Sequence, residues 1–312
     1  MSSTALKSVG DSSWRKDGIA KVTGAEKYAP DVSVDRMWFG RVLRSPHAHA
    51  RIVSVDTSAA EAMGAVCLTF ADVPQTRYNE RIVSTPPCLY RDRTVVADKA
   101  RHVGEALVGV AAPTEELAEK ALRSIKIEYE VLQVITTIEQ AQKDGADPVH
   151  DTVLLNGEDK PIINNVAVQR TIDVGDTVKG FAESDFVIER SFKTGRIYHA
   201  QMEPKTVICQ PEADGGITVW ASTQSIHNTR ILLGQIYGLP LNKVNVKKVA
   251  LGGAFGSSIQ MNSVTPICVG LALKSGRAVK IATTREEDMH DHVRYPSEIK
   301  LKLGMKLSLI HI

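Results

Sequence analysis

The 312-residue chain has only four cysteines, Cys67, Cys88, Cys209 and Cys268, and none forms C-x-x-C. Their spacing suits neither a zinc site nor an iron–sulfur cluster, so buried, reduced thiols in a cytoplasmic protein are expected. An excess of one charge is missing too. The 38 Lys and Arg face 36 Asp and Glu, leaving +2 with the signs interspersed. That excludes the concentrated basic patch of a nucleic-acid binder. No apolar run approaches the roughly 18 residues of a membrane span. The segment Met1–Lys7 lacks the hydrophobic stretch of a secretory signal. There is no internal repeat and no low-complexity tract. What is present is an ordinary globular composition, 43% hydrophobic, enough for a sizeable core over about two domains.

The pattern along the chain is α+β. Met37–Arg44 and Ala50–Asp56 read as strands, Thr57–Met63 as a short helix and Ala106–Ala111 as a compact apolar strand. Thr114 is placed to cap a helix through Ala121, with Glu115 and Glu116 at the positive end of its dipole. Ile125–Val131 returns as a strand. This strand–helix–strand run fits a right-handed crossover or a split arrangement. Turn signals in Lys143–Pro148 and at Asn156-Gly157 mark residues 133–165 as a linker. Beyond it, Asn164–Ile172 and Phe186–Lys193 alternate as strands, and Gly216–Ala221 is another. Ile226, Leu233, Ile236 and Tyr237 share one helix stripe, and Gly238 stands where that helix should stop. Residues 258–274 are mostly apolar, and Pro266 should kink that helix or mark its true start. Val279–Thr283 reads as a strand, and Thr284 with Glu287 matches a capping box. Ser297–Met305 alternates, with Ile299, Leu301, Leu303 and Met305 on one face, as a half-buried strand does. The organisation expected is an arm at 1–17, a unit at 18–132, a linker at 133–165 and a second unit at 166–306.

The most informative stretch is Leu251-Gly-Gly-Ala-Phe-Gly-Ser-Ser-Ile-Gln260, lying between the strand-like Val244–Val249 and an apolar helix. Glycines there let backbone N–H groups come close to a ligand. No Lys-Ser/Thr follows them, and Gly252, Gly253 and Gly256 do not have the dinucleotide-binding spacing. A nucleotide-phosphate site is therefore disfavoured, and alone the loop reads as a tight turn.

The loop does not stand alone. Ser222-Thr-Gln224, Gly238-Leu-Pro240 and Gly252-Gly-Ala-Phe-Gly256 occur in that order. Together they resemble the molybdenum-binding subunit of the xanthine dehydrogenase/aldehyde oxidase family. Gly24–Tyr28 with Arg44–Arg51 is similar to the start of that family's a/b hammerhead domain. His102-Val-Gly-Glu105, Ala118–Ala121 and Ile127–Glu130 are similar to its end, and Thr284–Asp288 to the segment after the Gly-rich loop. The resemblance covers about residues 18–306.

The resemblance implies a hammerhead domain followed by the first part of a molybdopterin-binding α+β domain. It implies a hydroxylase that inserts water-derived oxygen at a carbon of a purine-like N-heteroaromatic or aldehyde substrate. The cofactor would be molybdenum held by molybdopterin in a dinucleotide form, with no direct metal ligand from the protein. Electrons would leave through a [2Fe–2S] subunit and an FAD subunit. Gln224 would donate its amide to a metal-bound oxygen; Gly252, Gly253, Phe255 and Gly256 would hold the cofactor. Ile259 stands where animal-type xanthine enzymes carry a substrate-binding Glu, which puts that mode of purine recognition in doubt. The catalytic base is expected outside this sequence, and Glu203 reads as structural. The competing reading is a non-catalytic subunit-docking fragment.

His47 with His49, and His290 with His292, have spacings that metals accept, but each pair reads as structural. The last six residues, Leu307–Ile312, match one frame of CTGTCTCTTATACACATC, a transposase adapter end used in DNA library preparation. They are expected to be non-native, with a longer native protein.

Overall fold

The computed structural model describes residues 10, 12–80 and 90–307. Cys88 and the segment 308–312 lie outside the described residues. In chain order the elements that matter are β1 (Trp38–Arg44), β2 (Ala50–Asp56), α1 (Ser58–Ala62), β3 (Val66–Leu68), β4 (Ala106–Ala112), α2 (Glu115–Ser124) and β5 (Lys126–Val131). They continue with β6 (Phe186–Thr194), β7 (Thr206–Pro211), β8 (Ile217–Ala221), α3 (Ile226–Tyr237), β9 (Val244–Lys247), α4 (Val264–Ser275), β10 (Val279–Ala282), α5 (Arg285–Asp291) and β11 (Ser297–Met305).

A seven-stranded mixed sheet runs in the order β9-β8-β7-β10-β1-β4-β3. Strands from both sides of residues 133–165 are woven into it. β1 pairs parallel with β10, Trp38 opposite Val279, and antiparallel with β4 on its other edge. Every residue of β4 is buried, as a strand covered on both faces must be. The cover on one face is α4, in which Val264–Ala272 are all buried. A helix apolar all round belongs inside a core, and two glycines let it sit close. A Cβ on Gly109 of β4 would lie 2.7 Å from Ile267, and one on Gly270 of α4 would lie 2.7 Å from Leu68.

Local signals behave as their chemistry requires. Pro266 is the third residue of α4, so it marks the true start of the helix rather than a kink. The N–H it lacks would have had no partner inside the helix there. Gly238 closes α3 in the left-handed conformation, φ +64°. Thr114 Oγ1 accepts Leu117 N–H at 3.2 Å, and Thr284 and Glu287 form the reciprocal capping box of α5.

Of the two arrangements open to the run β4–α2–β5, it takes the split one: β5 pairs with β2 in a separate three-stranded sheet. Two expectations change. Residues 133–165 hold a short helix, Ile138–Ala141, and a hairpin, Thr152–Leu155 with Glu158–Pro161, turning at Asn156-Gly157. Asn164–Ile172 forms no strand. Asn164 and Asn165 both have positive φ, 51° and 56°, which ends extended pairing. Asn165 instead accepts Val149 N–H (2.8 Å) and donates to Ala141 O (2.9 Å), pinning the segment.

β11 pairs antiparallel with β6 in a two-stranded ribbon. On one face Phe186, Ile188 and Phe192 of β6 stand opposite Met305, Leu303 and Ile299 of β11. The expected apolar face is there but only partly covered: Ile299, Leu301, Leu303 and Met305 are 45–50% exposed. The alternation is real, but the cover of its apolar side is incomplete among the described residues.

Candidate functional site

The parallel strands β8 and β9 both run toward one sheet edge, so the segments that follow them converge there. Ser222–Gln224 leaves β8; the Gly-rich loop leaves β9 and leads to α4. The two segments are bonded reciprocally. Gln224 N–H donates to Ser258 O at 2.9 Å, and Ser258 N–H donates to Gln224 Oε1 at 3.3 Å. With its oxygen engaged, the amide of Gln224 is fixed in orientation. Its Nε2 has no partner among the described residues and the side chain is exposed.

Glu203 clamps the same two segments. Oε1 accepts from Ser222 Oγ at 2.8 Å and Oε2 accepts Gly252 N–H at 2.5 Å. Its own N–H donates to Gly252 O at 3.2 Å. A Cβ on Gly252 would meet Glu203 Cβ at 2.8 Å, so the residue there has to be glycine. Both carboxylate oxygens are committed, which gives the structural role expected for Glu203 a physical basis.

Gly253 and Gly256 both have φ +98°, a conformation open in practice only to glycine. Phe255 between them also has positive φ, 52°, yet its ring is 76% exposed. A bulky residue in that conformation is strained, and such strain collects at ligand clamps. Among the described residues no acceptor takes the N–H of Gly253, Ala254, Phe255 or Gly256. Consecutive N–H groups without an acceptor in a Gly-rich turn are what a backbone nest for anionic oxygen requires. Ile259 ends the loop, 48% exposed, its N–H donating to Gly256 O at 3.3 Å. A cavity of about 350 Å³ opens beside Gly256 and is lined also by His199, Gln260, Glu80 and Arg93.

All six residues singled out in the sequence, Gln224, Gly252, Gly253, Phe255, Gly256 and Ile259, therefore fall in one loop cluster. The histidine pairs do not join it as a metal site. His49 Nδ1 bonds Gln133 O at 2.7 Å, and His47 packs edge-on against Tyr129 at 4.8 Å between ring centres. His292 is buried between Glu80 (3.0 Å) and Asp291 (3.2 Å). No group of three or more His, Cys, Asp or Glu among the described residues is arranged to hold a metal ion. The three described thiols are free and buried. Burial pushes Cys268 up to about 12 and Cys67 up to about 11, so both stay protonated.

Residues 23–133 match the a/b hammerhead domain of aldehyde oxidase and xanthine dehydrogenase, and residues 159–308 match the molybdopterin cofactor-binding domain. The chain is a molybdopterin-binding member of the xanthine dehydrogenase/aldehyde oxidase family. It is 38% identical to a probable xanthine dehydrogenase subunit of Bacillus subtilis, over 93% of this chain and 37% of that one. It is 32% identical to the nicotinate dehydrogenase large molybdopterin subunit of Eubacterium barkeri, over 95% of this chain and 66% of that one. The chain thus spans only part of the curated relatives it matches.

Two solved structures share the fold. Quinoline 2-oxidoreductase from Pseudomonas putida 86 superposes with TM-score 0.80 at 26% identity, over 97% of this chain and 38% of that one. The aldehyde oxidoreductase from Desulfovibrio gigas gives 0.82 at 24% identity, over 94% and 32%. The hammerhead domain of this family member supplies β1, β4 and β3; its molybdopterin-binding domain supplies the rest of the shared sheet.

The loop cluster fits a molybdopterin. Its free N–H groups, glycine-only turns and unpartnered amide offer what an anionic, oxygen-bearing cofactor needs, without supplying metal ligands. Sequence reasoning misses the supports. It reads Glu203 as structural but does not show what Glu203 clamps. Lys205 carries no periodic or motif signal, and Ser257 and Ser258, though inside the Gly-rich run, do not reveal their partners there, because those partners lie far away in the chain.

Proposed function

We propose that this chain is the cofactor-holding part of a molybdenum hydroxylase acting on an N-heteroaromatic or aldehyde substrate. The observation that carries this is the amide of Gln224, locked through its oxygen to Ser258 so that its N–H₂ is free beside four unpaired loop N–H groups. When bound, the molybdenum cofactor supplies two-electron oxidation with an oxygen derived from water. Everything else falls to the protein. Gln224 donates a hydrogen bond to oxygen without adding charge to the site. The N–H groups of Gly253–Gly256 receive anionic oxygen at close range. Phe255 and Ile259 present apolar surface toward the substrate. That surface suits a flat, weakly charged ring better than a purine gripped by a carboxylate at position 259.

The names of two relatives, a xanthine dehydrogenase subunit and a nicotinate dehydrogenase subunit, support a nitrogen heterocycle. Glu203 is not the catalytic base, since both of its oxygens are engaged. Electrons pass to [2Fe–2S] and FAD subunits, and the pterin is the dinucleotide form. The free, buried thiols suit a reducing cytoplasm. Turnover of quinoline- or nicotinate-like substrates by the holoenzyme in ¹⁸O-labelled water tests the reading. Label in the hydroxylated product, with molybdenum near one per folded chain, is the expected result; absence of molybdenum from folded protein would sink it.

A further inference from the structure

Behind the Gly-rich loop lies a buried ion network that the cofactor cradle does not use directly. Lys205 is 1% exposed, although lysine is rarely buried unless paired. Its Nζ donates to Ser257 Oγ at 2.7 Å and stands 3.8 Å from Asp288 Oδ1. Oδ1 of Asp288 is buried and accepts no hydrogen bond, which leaves Lys205 as its counter-charge. Oδ2 is saturated: Gln201 Nε2 donates to it at 2.5 Å, Arg285 Nη1 at 3.2 Å, and the Tyr198 hydroxyl donates as well. The Ser257 hydroxyl donates onward to Gln201 Oε1 at 3.3 Å. The chain Lys205, Ser257, Gln201, Asp288 is closed, with a cation at the loop end and an anion at the far end. Burial lowers the Lys205 pKa from its ordinary value, and Asp288 opposes that.

Ser257 follows Gly256 directly, and its N–H donates to Ala254 O at 2.9 Å, closing the turn that leaves the Gly253–Gly256 N–H groups free. Gly256 borders the cavity of about 350 Å³; Lys205 and Ser257 do not. The network therefore grips the loop from its protein side. Burying Lys205 carries a desolvation cost, which Asp288 and the Ser257 hydroxyl offset, so its charge is tied to the loop residue that follows Gly256.

Building on the cradle reading above, we propose that Lys205 is a positioning residue for the cofactor loop. Through Ser257 it holds the free N–H groups in their receiving conformation, and it sets the positive end of a buried charge pair beneath an anionic oxygen of the cofactor. That oxygen belongs either to the metal or to the pterin phosphate.

Two variants of the holoenzyme test this without leaving a lone buried charge: Ser257→Ala, and the double change Lys205→Met with Asp288→Asn. Each should weaken cofactor retention about five-fold, the effect of about one net hydrogen bond, while the melting temperature of the cofactor-free protein stays near wild type. A metal-side anion adds a second readout. The molybdenum reduction potential shifts negative in the double variant, because of the two charges removed the cation is the nearer to the reduced, more negative centre. A phosphate-side anion lowers retention with the potential unchanged. Wild-type retention and potential in both variants would overturn the inference. Gly256→Val is the control. If it too retains cofactor, the cradle reading has failed; if it loses cofactor while the other two keep it, only the role of Lys205 has.

Discussion

Gln224 is held by its oxygen, and that decides what its nitrogen can do. Gln224→Ala should cut turnover about 10–1,000-fold, the range lost with one preorganised donor at a reactive oxygen. Molybdenum content should stay near wild type, because the pterin retains the metal. Steady-state rates and metal analysis on the same preparation check both halves; unchanged turnover with full metal would remove Gln224 from the site. Gly256 tests the loop differently. A Cβ there would come no closer than 3.9 Å to any neighbour, His199 Nε2, so space is not the issue; the +98° φ is. Gly256→Val should abolish cofactor docking, while Gly256→Asn, which tolerates positive φ better, should retain part of it. Molybdenum per folded chain is the measurement. These residues stand out in the sequence through the family resemblance, whose motifs are short and local: a glycine pattern and a Ser-Thr-Gln run after a strand. The contacts of Glu203 and Lys205 do not. Glu203 meets Gly252 across 49 positions and Lys205 meets Ser257 across 52, and no window along the chain contains both partners.

Helix starts and stops follow the same rule at the next scale. Thr114, Gly238, Pro266 and the Thr284–Glu287 box act within one turn, so their effect can be read from four or five residues. The strand ending at Ile172 failed because alternation alone cannot show that two asparagines take positive φ and bond elsewhere. The end of α5 carries a pH prediction. His292 is buried between Asp291 and Glu80; burial disfavours its charge, but the two carboxylates prevail and raise it to about 10. Glu80 also binds Arg93 at 2.8 Å, and its pKa is lowered. A histidine with a raised folded pKa stabilises fully below its unfolded value of about 6.5 and loses that contribution as pH climbs through 10. The melting temperature should therefore fall between pH 7 and pH 10, and His292→Gln should flatten that slope while lowering stability at pH 6. Thermal melts across that range check it; a wild-type slope in the variant would mean that the ion cluster contributes nothing.

At the scale of the whole molecule, the seven-stranded sheet and the larger core are built from both family domains, with Val42, Leu68 and Ala111 packed among Val207, Ile267 and Val279. A protease nick in residues 133–165 should accordingly leave two pieces that co-elute in native buffer, rather than release a free 18–132 fragment. Separate from that sheet is the β6–β11 ribbon, which pairs with no third strand. Two strands alone are marginal in water, and Phe186, Phe192, Ile299 and Leu303 are each about half exposed on one face. Produced alone, residues 1–312 should be inactive and self-associate. Size-exclusion with light scattering checks this, and a soluble monomer would show that the face tolerates water. The alternation of that ribbon was legible in the sequence, and so was the shortage of cover on its apolar face. The parallel pairing of β1 with β10 has one more consequence, in time rather than in space. Trp38 cannot meet Val279 until more than two hundred further residues have been made. At roughly 5–20 residues per second, an early strand waits on the order of 10–50 s on the ribosome with one edge bare. That edge should need shielding until β10 emerges, and slowing translation should lower the yield of folded protein.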